Sequence, residues 1–271
     1  MFGTRDRQKC LQLFEKYYAG RKFYDERYRE LIHQYLVPGQ PLLDAGCGCY
    51  MKSCKDLSSV ARVVGIDLET ALESDNQSAP FGVCGDLDRL PFPSDYFDMV
   101  ISRSVVEHLE NPAVVFRELH RVLRPGGKVV LCTPNKYDYV SVVAAITPHW
   151  FHQFLVSKIF PVSKQDVFPT FYRANTLSSI RRALNSAGLV ERELGTINHY
   201  PAYLMFSPVL FRLGVLYERL TSMDLFRSLR GSILCVFEKQ GRPGIDVPTE
   251  ANCRMSARKQ TVAVGGLNAH P

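Results

Sequence analysis

The chain has 271 residues, of which 46% are hydrophobic and 22% are charged. This is the composition of an ordinary globular protein, large enough to bury its own core without a disulfide or a metal. The formal net charge of +6 is mild, and the basic residues are scattered. The charge therefore permits anionic ligands or an anionic membrane surface, but it argues against a nucleic-acid partner.

The eight cysteines are interpreted as reduced thiols, because residues 1–10 lack the apolar segment of a secretory signal. Cys47, Cys49 and Cys54 are close enough in sequence to suggest a zinc site. No matching CxxC or histidine pair follows them, so we expect no metal. These observations together predict a cytoplasmic protein.

Helix patterns occur at three places along the chain. Apolar residues at steps of three and four predict one long helix over 10–36, stopped by prolines and a glycine at 38–41. A second helix is predicted at 111–123, ending at the Pro-Gly-Gly sequence 125–127. A third is predicted at 175–189, with Asn175 or Thr176 as its N-cap and Gly188 as its C-cap.

Short apolar runs between these helices are typical of buried strands. They lie at 41–45, 61–68, 80–86, 96–103, 128–134, 190–197 and 231–239. Alternating strands and helices predict an α/β fold, with a parallel sheet covered by helices on both faces.

The sequence LLDAGCG at 42–48 ends the first predicted strand. Gly46 and Gly48 permit positive φ angles and a close backbone approach to a ligand. In open α/β sheets, ligands bind beyond the carboxyl ends of the strands. The alternative is a tight strand-to-helix turn that binds nothing.

Carboxylates close three consecutive predicted strands at Asp44, Asp67 and Asp86. A carboxylate at Asp67 can accept the two hydroxyls of a ribose, and one at Asp86 can accept an exocyclic amine such as that of adenine. Met51 stands where a dinucleotide fingerprint has its third glycine, so the pattern disfavours a pyrophosphate and an NAD-dependent oxidoreductase.

Five segments in this order and spacing resemble class I S-adenosylmethionine-dependent methyltransferases. They read LLDAGCG, VVGIDLE, GDLDRLPFPSDYFDMVIS, VVEHLENP and RELHRVLRPGGKVVLCTPN. The similarity is greatest to the small-molecule group that includes ubiquinone/menaquinone-type and polysaccharide-cluster enzymes. It implies a Rossmann-like, seven-stranded, mostly parallel sheet with an antiparallel last strand, and S-adenosyl-L-methionine as the cofactor. Tyr50 departs from the small residue that the family usually has there.

The resemblance also implies site residues. The turn after the first strand would face the methionine part of the cofactor, and Ser102 and Arg103 would lie under the sulfonium. The implied cofactor-binding residues are Asp44, Ala45, Gly46, Cys47, Gly48, Asp67, Leu68, Asp86, Leu87, Ser102 and Arg103.

A hydroxyl acceptor needs a base, and His108, His149 and His152 are the candidates. Asn135, Tyr137 and Trp150 are candidate acceptor contacts. Packing, capping or turn roles remain open for all of these residues. An oxygen acceptor is favoured because the histidines lie near the expected acceptor face.

The predicted domain plan has three parts. Residues 1–40 form a helical segment over the cofactor site, residues 41–240 the methyltransferase domain, and residues 241–271 a disordered tail. The aromatic-rich inserts 134–174 and 198–230 are predicted to form a lid over the acceptor site, or alternatively a small satellite core under long loops.

Three classes of methyl acceptor remain open: a free sugar or small metabolite, a quinone-like ring, or a lipid-linked metabolite. With the last, the protein would make peripheral contact with the inner face of the membrane. The alternative to an enzyme is a non-catalytic S-adenosylmethionine-binding or scaffold protein on the same fold.

Overall fold

Seven strands form one sheet in the order β3-β2-β1-β4-β5-β7-β6. The computed structural model describes residues 4–48, 57–68, 81–146 and 169–241. The strands are β1 Pro41–Ala45, β2 Arg62–Asp67, β3 Phe81–Cys84, β4 Phe97–Arg103, β5 Leu123–Pro134, β6 Leu189–Ile197 and β7 Ser232–Lys239.

The sheet is parallel except at β7, which pairs antiparallel with both β5 and β6. This arrangement confirms the predicted fold class. β1 pairs in parallel with β2 on one side and with β4 on the other. From β1, the strands β2 and β3 extend the sheet to one side, and β4 and the later strands extend it to the other. The topological switch point therefore lies between β1 and β4, and sheets of this kind bind their ligands at that point.

Six helices are described, together with three short 3₁₀ turns. The helices are α1 Thr4–Tyr18, α2 Tyr24–Tyr35, α3 Pro112–Val122, α4 Tyr139–Ile146, α5 Leu177–Ser186 and α6 Pro208–Thr221, and the turns are Val106–His108, Ala202–Leu204 and Asp224–Leu229.

The prediction of one helix over 10–36 is wrong, because two helices occupy that stretch. Gly20 takes a left-handed φ of 73° after α1 and ends it. A new N-terminus forms at Phe23, whose backbone N–H donates to Glu26 Oε2 at 2.7 Å.

The predicted stop at Pro-Gly-Gly 125–127 is also misplaced. α3 ends at Val122, and β5 begins at the next residue. The glycines lie inside a bulge, since Phe97 pairs with Leu123 but Met99 pairs with Lys128.

The third predicted helix is confirmed as α5. Ser179 N donates to Thr176 Oγ1 at 3.1 Å, so Thr176 is the N-cap. Gly188 follows the helix with a φ of 87°.

Helices cover both faces of the sheet. One face packs on α3 and α5 through a core that includes Phe116 and Ile180. The other packs on α2 through Tyr28 and Ile32. A separate cluster joins α1 to α6 and comprises Cys10, Tyr18, Phe211 and Val215.

The chain divides into two units, Met1–Gln240 and Gly241–Pro271. The predicted disordered tail lies, from residue 242 onward, outside the described residues. Within the described ranges, the helices lack the length and apolar character that crossing a membrane requires.

Candidate functional site

The turn after β1 is built on backbone hydrogen bonds and two left-handed glycines. Gly46 N and Cys47 N both donate to Ile66 O of β2, at 2.8 and 3.2 Å. Gly46 has a φ of 79° and Gly48 a φ of 63°. A Cβ on Gly46 would meet Val105 Cγ2 at 2.3 Å, so the close approach of β1 to the segment after β4 requires glycine.

The same turn reaches the end of β2. Gly48 N donates to Asp67 Oδ2 at 2.8 Å, and the Asp67 side chain is half-buried. Asp44 is buried at the end of β1. Exposed Asp86 follows β3, where its Oδ1 accepts Asp88 N at 3.0 Å. The structure thus brings the turn and Asp67 together, as the sequence predicts.

The end of β4 is tied to β1 and to α2. Buried Ser102 donates from Oγ to Ala45 O at 2.6 Å, which joins the two strands at the switch point. The Arg103 guanidinium forms an ion pair with Asp25 of α2. Ser104, a residue that sequence reasoning missed, holds a left-handed φ of 56°. Such strain concentrates at functional sites.

The two leucines assigned to the adenine lie in different surroundings. Leu68 is 61% exposed after β2, as a residue available to a ligand should be. Leu87 is buried and belongs to the core between the sheet and α3. Its contact with adenine stays a prediction.

The 3₁₀ turn after β4 carries a buried carboxylate beside His108. His108 Nδ1 lies 2.8 Å from Pro169 O, which can only accept, so Nδ1 carries the proton and the lone pair is on Nε2. Glu107, which the sequence analysis did not identify, is buried, and its carboxylate accepts a hydrogen bond from Thr133 Oγ1 at 2.9 Å. Burial raises the pKa of the Glu107 carboxyl. Its position beside His108 in VVEHLENP is the sequence signal.

Asn135 makes structural contacts at the end of β5. Its Nδ2 donates to Ser228 O at 2.7 Å and to Arg230 O at 2.8 Å, and its Oδ1 accepts Tyr137 N at 3.2 Å. These bonds hold the segment before β7 and favour the turn role that the sequence left open. Tyr137 is 52% exposed.

Asp138 lies immediately before α4, and the sequence analysis did not identify it. It is buried, and its Oδ2 accepts Val140 N at 3.1 Å. Burial raises the pKa of the Asp138 carboxyl to about 6. A buried carboxyl with this pKa is able to exchange a proton near neutral pH.

His199 is a further missed residue. Its Nε2 lies 2.9 Å from Ser232 Oγ, and its ring centroid lies 4.8 Å from that of Tyr24. Burial lowers the pKa of His199, so the ring is neutral at pH 7.

The other predicted residues, Tyr50, His149, Trp150 and His152, lie outside the described residues. Across the described part of the chain, no group of three His, Cys, Asp or Glu residues is arranged to hold a metal ion.

A sequence model of the methyltransferase domain family matches residues 43–131. This segment contains the glycine turn, Asp67, Asp86 and the end of β4. Over this segment the chain is similar to S-adenosylmethionine-dependent methyltransferases.

Two curated relatives each match less than half of the chain. A Mycolicibacterium smegmatis protein named "Probable S-adenosylmethionine-dependent methyltransferase" is 33% identical over 119 residues, which cover 42% of this chain and 46% of that protein. The demethylmenaquinone methyltransferase of Mycobacterium bovis is 32% identical over 96 residues, covering 35% of this chain and 41% of the relative. The matched region is less than half the length of each relative.

The solved structure of the [4+2]-cyclase SpnF is similar over 83% of this chain and 85% of its own. The TM-score is 0.53 and the sequence identity 16%. The likeness concerns the fold, which hosts more than one kind of reaction.

The described residues at this edge fit S-adenosylmethionine. A Cβ on Gly48 would meet nothing within 4 Å, so open space adjoins the turn, and the half-buried Asp67 carboxylate accepts the Gly48 N–H at its border. Asp86 offers a second carboxylate, which is exposed, near the same edge of the sheet.

Proposed function

We propose that this protein transfers a methyl group from S-adenosylmethionine to an oxygen of a small-molecule acceptor. The observation that carries the proposal is the junction of the glycine turn with Asp67, where Gly48 N donates to Asp67 Oδ2 at 2.8 Å. This bond fixes a carboxylate beside a turn whose two glycines hold left-handed φ angles and leave the backbone accessible. A nucleoside needs both features: hydroxyl acceptors and a close backbone.

When bound, S-adenosylmethionine supplies a methyl group already activated on a sulfonium. Asp67 would hold the ribose hydroxyls and Asp86 the adenine amine. Ser102 fixes the ends of β1 and β4 against each other, 2.6 Å from Ala45 O. Asp25 neutralises Arg103, which would otherwise add a positive charge next to a sulfonium.

The remaining work of the protein is to position the acceptor and exclude water. His108 is the candidate base, because Pro169 fixes the proton on Nδ1 and leaves the lone pair on Nε2 for an acceptor hydroxyl. Glu107, 3.9 Å from Nε2, would stabilise the imidazolium that forms.

The acceptor class is a sugar, a quinone-like ring or a lipid-linked metabolite. The relative named demethylmenaquinone methyltransferase supports a ring acceptor. The Tyr139 ring of α4 packs edge-on against Tyr217 of α6, with centroids 5.2 Å apart, which supports an aromatic lid over this side of the sheet. Cytoplasmic location, with contact at the inner membrane face, belongs to the same proposal.

Calorimetric titration with S-adenosylhomocysteine tests the cofactor assignment. The wild type should bind it and should not bind NAD. Asp67→Ala should weaken binding more than tenfold, because a hydrogen bond to a charged group contributes roughly 1.5–3 kcal/mol. Asp224→Ala, at a carboxylate that is 95% exposed, is the matched control and should leave binding unchanged. Equal affinity of wild type and Asp67→Ala would refute the ribose role.

A second candidate is a nucleoside-binding protein that performs no methyl transfer. The structural similarity to a cyclase supports this second candidate, because that protein has a similar fold and is named for a different reaction. Release of S-adenosylhomocysteine with an added acceptor would exclude it. Tight cofactor binding without turnover on sugar, quinone or lipid-linked acceptors would support it.

A further inference from the structure

Helix α6 carries apolar side chains on two opposite faces. Phe211 and Val215 are buried against α1. The outer face presents Val209, Leu213, Leu216 and Leu220, at steps of four, three and four residues and with 64%, 55%, 54% and 49% of their surface exposed. A helix that faces only water carries polar residues on its outer side.

Exposed apolar residues also follow α6. Met223 is 55% exposed and Leu225 is 80% exposed, on either side of Asp224, whose exposed carboxylate pairs with Arg230 at 3.2 Å. We call these residues, Val209, Leu213, Leu216, Leu220, Met223 and Leu225, the α6 apolar face. A contiguous apolar surface of this kind marks an interaction site.

A cationic groove adjoins this face. It lies between α1 and the start of α6, has a volume of about 690 Å³, and is lined by Lys9, Lys16 and Arg212 among others. Asp6 is the one acidic residue of its described lining. Val209 belongs to both the groove and the α6 apolar face, so the two surfaces are continuous.

The acidic residue of α6 does not offset this charge. Glu218 is buried and is paired with Arg21 at 3.1 Å. Arg219, on the same helix, is exposed, and its guanidinium lies over the Tyr17 ring at 5.3 Å.

We propose that the α6 apolar face and the cationic groove together dock on an anionic lipid bilayer. The apolar row would enter the boundary between headgroups and acyl chains, and the cations would meet the lipid phosphates and carboxylates. The alternative partner of this surface is a second copy of the chain. In a two-fold symmetric dimer the cations of one groove would lie beside those of the other, and this repulsion disfavours a dimer.

Docking would bring the acceptor side toward the bilayer. α4 contacts α6 through the two tyrosines described above, and its Val142 and Val143 are each 42% exposed. An amphiphilic acceptor could then enter from the membrane, a consequence that rests on the proposed function.

Vesicle co-sedimentation with the full chain tests the docking surface. Most of the protein should appear in the pellet with vesicles of phosphatidylcholine and phosphatidylserine. The pelleted fraction should be much smaller with vesicles of phosphatidylcholine alone. Raising the salt concentration should release it, because exposed charges are screened. Leu213→Asn/Leu216→Asn should lower partitioning roughly thirtyfold, since two half-exposed leucines no longer enter the apolar layer.

Lys9→Gln/Lys16→Gln/Arg212→Gln should lower binding to the anionic vesicles roughly a hundredfold. The control Arg29→Gln/Arg117→Gln/Arg182→Gln removes three exposed charges elsewhere and should bind like the wild type. Val37→Asn/Val60→Asn, before β1 and β2, is the apolar control. Thermal unfolding of each variant verifies that it folds.

Three results would overturn the proposal: no sedimentation with anionic vesicles, equal losses in the variants and their controls, or a dimer that Leu213→Asn/Leu216→Asn dissociates. The last would assign the face to a second copy. Titration with S-adenosylhomocysteine on the same samples separates a failure of docking from a failure of the proposed function, because lipid binding needs no cofactor.

Discussion

The cofactor edge and the α1–α6 pair are held together by different kinds of contact. At the cofactor edge, backbone groups of Gly46, Cys47 and Gly48 bond to β2, and a buried hydroxyl joins β4 to β1. In the α1–α6 pair, apolar side chains pack as a small cluster around Phe211. Backbone geometry tolerates few substitutions, whereas apolar packing accepts many.

The family model matches one of these two regions and not the other. Residues 43–131 contain the cofactor edge, but α1, α4 and α6 lie outside them. The matched segment thus includes the turn that is held by backbone geometry, whereas the helices that we assign to the lid and to the bilayer lie outside it.

The largest expected effect compares a phenylalanine in each region. Phe116 and Phe211 are both fully buried. Phe116→Ala should lower the free energy of unfolding by about 3–5 kcal/mol, the usual cost of such a cavity. Phe211→Ala should instead act locally, with faster hydrogen exchange confined to α1 and α6.

Urea unfolding and hydrogen exchange followed by mass spectrometry measure the two effects. Faster exchange in β4 and β5 of Phe211→Ala would show that the two regions unfold as one unit.

The next effect compares two left-handed glycines. Gly46→Ala and Gly39→Ala both force a Cβ into positive φ, which costs about 1–2 kcal/mol. Only at Gly46 would the Cβ also collide, with Val105 at 2.3 Å, while Gly39 has open space. Gly46→Ala should therefore lower the free energy of unfolding by about 3 kcal/mol and abolish S-adenosylhomocysteine binding. If Gly39→Ala lowered the free energy of unfolding equally, backbone strain alone would explain the effect, and the contact with Val105 would add nothing.

The smallest effect concerns Asp138, which lies between the two regions. Burial holds its pKa at about 6, above the ordinary 3.8, so the folded protein binds the proton more tightly than the unfolded chain. This contribution favours folding below pH 4 and is lost as the pH rises through 6. Asp138→Asn keeps an acceptor for Val140 N and should raise the free energy of unfolding at pH 8 by about 2 kcal/mol.

Chemical unfolding of Asp138→Asn at a series of pH values measures this difference. The advantage of the variant should shrink from pH 6 downward and vanish near pH 4. A constant advantage across the series would mean that the carboxyl does not titrate as its burial implies.

Local patterns were sufficient for the parts built from neighbouring residues. The apolar runs predicted the strands, and the glycine turn and Asp67 were predicted at one edge because parallel strands end together there. Local patterns were insufficient at Gly20, where the apolar spacing continues across a helix break, and at the Pro-Gly-Gly sequence, which becomes a bulge in β5. Only pairing with β4 distinguishes such a bulge from a turn.

The sequence by itself determined the class of sheet, the glycine turn and the carboxylates that follow the strands, because each depends on residue type and short spacing. The tertiary structure decided which side chains meet over long separations. It placed Asp25 against Arg103, Thr133 against Glu107 and His199 against Ser232. It also decided that α6 buries one apolar face and exposes the other, since burial depends on the partner that packing supplies and not on the sequence of the helix alone.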